Sequence, residues 1–227
     1  MLELDHVVYF SNASPLENAT IYDHTVVGGQ HKKWGTSNAL TYTRNSYIEY
    51  LSVNDRECAV KSSHPLPTLL LHDLEFGEGW GTICFRTNDI DALNKKFQID
   101  GWKTSGVIDA ERETSSGFIR KWKMLFIDQV ISENLPNPFF IQWEEPLEMR
   151  MKSLITEGTI TLENEKLSIA RCDFAVKDPE KVVEKWSEFL NLIPLGNTLV
   201  LPNTELHFTK SSDKFERLRN VYVEKSE

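Results

Sequence analysis

Three stretches of the chain share one order of apolar and polar positions. Each has a short apolar run, a polar turn holding Asp, Asn or Ser, and a segment with apolar residues at helical spacing. They are LDHVVYFSNASPLENATIYDHTVV, GTICFRTNDIDALNKKFQIDGW and SIARCDFAVKDPEKVVEKWSEFLNL. Each turn reads as a helix start: Ser14 before Pro15, Asn88 or Asp89 before Ile90, and Asp178 before Pro179. A side-chain oxygen satisfies the first free N–H groups of a helix, and Pro suits its first position. In the third helix Val182, Val183, Trp186, Phe189 and Leu190 recur every three or four positions, which predicts one buried face.

Strand-like runs follow each helix. They are NALTYT and SYIEYLSV in the first unit, GFIRKWKMLF and PFFIQWEEP in the second, and NTLVLP, TELHFTK and RNVYVEK in the third. Each unit reads as strand–helix–strand–strand–strand. The unit starts lie about 80 residues apart, too far for a solenoid repeat. Adjacent strands are hairpin-linked, so the class is α+β with a mainly antiparallel sheet. The expected divisions are a first module over 1–53, a linker over 54–79 whose TLLLHDL forms a short covering helix, a second module over 80–147, a linker over 148–167, and a third module over 168–227.

Composition narrows the function. The chain has 227 residues, 40% hydrophobic and 26% charged, enough to fold without disulfide or metal. A formal charge of −9 with no basic block excludes a nucleic-acid partner, which needs a basic face. No apolar run reaches the roughly 20 residues of a membrane helix. Cys58, Cys84 and Cys172 form neither a disulfide framework nor a zinc motif. MLELDHVVYF lacks the basic start of a signal peptide. The expected location is the cytoplasm.

Alternation places Leu4, His6 and Val8 on one strand face, and Tyr47, Glu49 and Leu51 on another. His6 and Glu49 are therefore polar residues on core faces, where they need partners: each other, a shared ion, or a ligand. HKKWGTSNAL holds Trp34 as an aromatic wall, Asn38 as a two-sided hydrogen bonder, His31 as a group titrating near neutral pH, and Gly35, which permits close approach. In GFIRKWKMLF, Arg120 shares an apolar face with Phe118, Trp122 and Met124. It either holds a ligand carboxylate or phosphate, or pairs with Glu49 or another buried acid. His24, His64, His72 and His207 have no ligand-like spacing, and GxSxG, GxxxxGK[ST], GxGxxG and HExxH are absent.

The opening LDHVVY, the GGQHKKWGTSNAL stretch and SYIEYL together resemble the glyoxalase-like branch of the vicinal-oxygen-chelate superfamily. The resemblance implies paired βαβββ modules that curl into a cup-like sheet with helices outside, holding a divalent metal and a small molecule. Carried onto this chain, the superfamily's metal positions fall on His6 and Glu49 in the first module, and on Thr82 and Gln142 in the second. Thr82 departs from the pattern, and Gln142 offers one carbonyl oxygen. The implied ion is Mn²⁺, Mg²⁺, Fe²⁺, Ni²⁺ or Zn²⁺. Glu49 and His31 become the candidate catalytic groups, and His31, Trp34, Gly35, Asn38, Arg120, Trp122 and Gln142 the candidate ligand contacts. The expected function is a divalent-metal lyase or isomerase, or a dioxygenase-type enzyme. The alternative is a metal-free protein that sequesters a small ligand, of the bleomycin-resistance type. The third module either closes the cup or forms a homodimer contact.

Overall fold

The structure, a computed structural model, describes residues 2–18, 24–113 and 119–226. The expected first helix beyond Asn18 and the residue Phe118 lie outside the described residues. The first unit is β1 (Glu3–Ser11), α1 (Pro15–Asn18), β2 (Thr25–His31), β3 (Thr36–Tyr42) and β4 (Tyr47–Val53). Next come α2 (Arg56–Lys61) and α3 (Pro65–Asp73). The second unit is β5 (Gly79–Arg86), α4 (Ile90–Ile99), β6 (Thr104–Glu113), β7 (Ile119–Ile127) and β8 (Phe139–Trp143). Two further helices, α5 (Leu147–Thr156) and α6 (Leu162–Glu165), precede the third unit of β9 (Leu167–Val176), α7 (Pro179–Leu190), β10 (Thr198–Leu201), β11 (Thr204–Lys210) and β12 (Arg217–Lys225).

The first two units share one curled eight-stranded sheet in the order β2-β3-β4-β1-β5-β8-β7-β6. The halves join along the antiparallel pair β1 and β5, each of which also pairs in parallel with the last strand of its own unit. Asp89 and Asp178 cap α4 and α7 by accepting from Ala92 N and Lys181 N, as the turn chemistry predicts. The concave face carries Val8, Phe10, Leu51, Cys84, Met124, Phe126, Phe139 and Ile141. Across it lies α3, whose Leu66, Leu69 and Leu70 pack into the same cluster.

The third unit forms a separate four-stranded sheet, β10-β11-β9-β12. Its element order is the expected one, but its pairing differs from that of the first unit. Strand β12 crosses to the far side of β9 and runs antiparallel to it, as β5 does to β1. This sheet packs through α7 on the convex face. Trp186 meets Phe85 of the large sheet edge-on at 6.4 Å and Phe174 and Phe208 of the small sheet at 5.1 and 5.3 Å. Phe97 of α4 and Phe189 of α7 complete the layer. One apolar core thus runs through both sheets.

Arg217 at the start of β12 ties the third unit to the cup. Its Nε and Nη2 donate to the two oxygens of Asp73, the last residue of α3, at 2.8 and 2.7 Å. The remaining N–H groups reach the carbonyls of Ser132, Asn134 and Glu216.

Trp186 is 2% exposed and shared by both sheets. Trp186→Ala is expected to lower unfolding free energy by about 3–5 kcal/mol, read from the urea midpoint with a single transition retained. A loss below about 1 kcal/mol, or two separate transitions, would mean that the third unit folds apart from the cup.

Candidate functional site

The site begins with a bulge. Strand β1 pairs Leu4 with Phe85 and His6 with Cys84, leaving Asp5 as an extra residue. Simple alternation therefore fails: Leu4 joins the convex core, while His6 turns into the cup with Val8 and Phe10. Strand β4 keeps its alternation, and Tyr47 and Glu49 face the same cavity.

His6 is 3% exposed and Glu49 6%. His6 Nδ1 lies 2.8 Å from Asp5 Oδ1, and Nε2 lies 3.4 Å from Glu49 Oε2. Glu49 Oε1 accepts from Asn38 Nδ2 at 2.6 Å. Asp5 Oδ2 accepts from Trp143 Nε1 at 3.0 Å and from Arg150 at 3.4 Å. Tyr47 stacks on the His6 ring at 4.5 Å. Burial alone would raise the Asp5 carboxyl, but Arg150 and His6 outweigh it and hold the group well below the usual carboxylate range. Asp5 is thus a fixed anion behind His6, orienting the ring so that Nε2 faces Glu49.

The HKKWG turn closes above this cluster. His31 Nδ1 meets Thr36 Oγ1 at 3.0 Å, and burial, aided by Arg112 and opposed by Glu49, lowers its pKa. Trp34 stacks between His31 at 5.1 Å and His64 at 4.1 Å, and lines the cavity. Gly35 is placed differently. At φ +65° it packs against α2, where a Cβ would meet Asp55 O at 2.2 Å; the close approach is to backbone of the same chain.

Strand β7 sends Arg120, Trp122 and Met124 into the cavity. Arg120 donates to Glu145 at 2.6 Å and to both oxygens of Glu157, fastening α5 to the sheet. Gln142 stands on the other face of β8, where its Oε1 accepts from Ile90 N at the start of α4. Register offers a check on the second unit. Val8 pairs with Glu49, and Cys84, which corresponds to Val8 when Thr82 corresponds to His6, pairs with Phe139. The Glu49 position of the second unit is therefore Phe139. Among the described residues no three His, Cys, Asp or Glu side chains are grouped to hold a metal ion.

The polar end of the cavity is narrow, about 50 Å³, and opens past Trp34, Trp122 and Trp143 into a cleft of about 1660 Å³. The cleft runs between the sheet's edge strands, β2 and β6. There Gly28 and Gly29 face Arg112: a Cβ on Gly28 would lie 2.0 Å from Asn38 Oδ1 and 3.0 Å from Arg112 Nη1. Asp5, Arg112 and Arg150 are site residues that pattern reading did not single out. The one available signal for Asp5 was an acid inside an apolar strand; Arg112 and Arg150 gave none. On the other side of α3 lies a second, apolar pocket of about 500 Å³ with Thr82, Phe126 and Phe139 in its wall.

His64 generates a prediction. It caps α3 by accepting from Leu66 N at Nδ1, a bond that protonation of that nitrogen would break. Burial, then the nearby His31, push its pKa down to about 3. A depressed folded-state value means that the unfolded chain takes up the proton first. Stability is thus full above the unfolded value of about 6.5 and falls towards about 3, by up to about 1.4 kcal/mol per pH unit. His64→Gln is expected to flatten this decline in urea titrations between pH 6.5 and 4; an unchanged slope would clear His64 of the effect.

Comparison with known proteins follows the same lines. A family model described as "Glyoxalase-like domain" matches residues 4–190. A search of curated proteins finds no match. Among solved structures, a hypothetical protein from Staphylococcus aureus is similar at 26% identity and a TM-score of 0.82, over 98% of this chain and 91% of that one. The methylmalonyl-CoA epimerase of Mycobacterium tuberculosis aligns at 15% identity and a TM-score of 0.44, over 65% of this chain and 91% of its own. That of Streptomyces coelicolor, in complex with 2-nitronate-propionyl-CoA, aligns at 18% and 0.40, over 62% and 94%. Among the described residues no helix is long and apolar enough to cross a membrane. With its cup-forming βαβββ pair and a family match across most of its length, the chain belongs to the glyoxalase-like domain family.

Proposed function

We propose that this protein binds a small organic molecule in the cup without a metal ion, and that His6 and Glu49 serve as its proton-transfer pair. The contact of 3.4 Å between His6 Nε2 and Glu49 Oε2, with Asp5 behind Nδ1, carries the reading. A carboxylate orienting one ring nitrogen leaves the other to take or give a proton, which is the arrangement general acid–base chemistry needs.

The residues present do not fit a chelated divalent ion. Such a site needs about four donors. Here His6 and Glu49 face one another at 3.4 Å with Glu49 already bonded to Asn38, Phe139 occupies the position matching Glu49, and Gln142 accepts from the first N–H of α4. Arg112 also lines the cavity and makes no ion pair among the described residues, which offers a ligand anion a partner. Proton transfer by the pair would place the reacting atom in the narrow end beside Nε2. Trp34, Trp122 and Trp143 would hold the rest of the molecule and exclude water. The opposing reading, a metal-dependent lyase or isomerase, draws on one observation: His6 and Glu49 come from the first and last strands of one unit and face each other.

Thermal melts decide between them. Mn²⁺, Zn²⁺, Ni²⁺, Mg²⁺ and Fe²⁺ are each expected to leave the wild-type melting temperature unchanged. His6→Ala and Glu49→Ala should each cost roughly 1–3 kcal/mol from the orphaned partner, and the double variant less than the sum. An ion that raises the wild-type melt but not that of either variant would establish a metal site and overturn the proposal.

A further inference from the structure

The ligand's chemical class can be narrowed by the polar atoms left without partners at the neck of the cavity. Three arginines line it, and two are neutralised: Arg120 by Glu145 and Glu157, Arg150 by Asp5. Arg112 makes no ion pair among the described residues, and its Nε is buried without an acceptor. Its guanidinium lies against Gly28 and borders both the narrow end and the open cleft. A half-buried guanidinium with a free fork matches a planar two-oxygen anion.

Asn38 supplies the second observation. It is 5% exposed, its Nδ2 is committed to Glu49, and its Oδ1 has no donor. Native proteins leave few buried acceptors unsatisfied, so an unpaired amide oxygen on a cavity wall calls for a ligand N–H or O–H. Arg112 Nη1 and Asn38 Oδ1 both pack against Gly28, which brings them close to one another at the cavity edge. A donor and an acceptor so placed read a carboxylate with a hydroxyl close by. The narrow end, about 50 Å³, admits only a head group, so an apolar body must lie in the cleft against the Trp122 and Trp143 rings, 5.3 Å apart.

We propose that Arg112 and Asn38 are a recognition pair for a small organic acid, one with a hydroxyl beside its carboxylate and an apolar body that rests on Trp122 and Trp143. The inference rests on the small-molecule reading above and names its ligand class. Reading the acid depends on Arg112, whereas proton transfer depends on His6 and Glu49, so the two can fail separately.

Calorimetric titration in EDTA tests the proposal, with mandelate, phenylacetate and methyl mandelate as probes. Wild type is expected to bind mandelate, phenylacetate several-fold more weakly for want of the hydroxyl, and the neutral ester at least about tenfold more weakly. Arg112→Met should remove acid binding with little change in the melting temperature, because the side chain makes no ion pair. Arg112→Lys should weaken binding about tenfold, keeping charge but losing the fork. The proposal falls if no acid binds, if the ester binds as well as the acid, or if Arg112→Met binds mandelate like wild type. Repeating the titrations with Mn²⁺ separates the two readings: an ion-induced rise in melting temperature would defeat the metal-free mechanism, while the Arg112 dependence would still decide the ligand class.

Discussion

The buried ion pair between Arg217 and Asp73 joins the third unit to the helix that covers the cup. Asp73 ends α3, the helix that lies across the concave face. Arg217 opens β12, the strand that closes the third unit. The guanidinium is 3% exposed, and its donors are taken by Asp73 and by carbonyls of the 132–134 segment and Glu216. A buried charge pair satisfied this fully contributes little net stability, but removing one member leaves an uncompensated charge that costs about 3–5 kcal/mol. Its effect is therefore on position. Among the described residues the third unit lends no side chain to the cavity wall, yet its Arg217 is bonded to the end of α3, and Leu66 of α3 lines that cavity beside Trp34.

A chain of formal charge −9 carries a cavity lined by three arginines. Net charge concerns solubility and long-range steering. Local charge depends on which acids the fold places beside each base. Asp5, Glu145 and Glu157 are spent on Arg150 and Arg120, while Glu49 lines the narrow end and Asp109, Glu111 and Glu144 border the cleft. The overall sign thus says nothing about what the cup prefers.

Elements that bury one face were legible in the sequence. The apolar stripe of α7 and the alternation at the start of β7 follow from one-sided burial, and the caps at Asp89 and Asp178 from turn chemistry. Strands β2 and β6 were not, because they are edges beside an open cleft. Gly28 and Gly29 give β2 no pattern, and TSGVIDAERE has polar residues throughout, which hid Arg112. At β1 one extra residue at Asp5 shifted the face, so alternation put Leu4 beside His6 when it belongs to the opposite core. In β8 the apolar run Phe139–Ile141 is buried on both sides, and period alone cannot say that Gln142 turns outward. Arg150 came from a stretch read as linker, and only tertiary folding brings α5 to Asp5.

The two halves of the sheet are related by a pseudo-twofold along β1 and β5, yet at the positions of His6 and Glu49 only the first carries ionisable side chains. Where the first half has His6 and Glu49, the second has Thr82 and Phe139, and the ring of Phe126 stacks on Phe139 at 5.1 Å. A duplicated scaffold has thus been divided by labour. One copy holds a bonded polar cluster, so a change on β1 or β4 leaves a buried partner unpaired. The other answers to volume, so β5 and β8 tolerate exchange among apolar side chains of equal size. A library randomised at Thr82 and Phe126, which line the apolar pocket beyond α3, should therefore reshape that pocket while leaving the contacts of His6 in place; Phe139 is the exception and stays fixed, because its ring meets His6 edge-on at 5.4 Å.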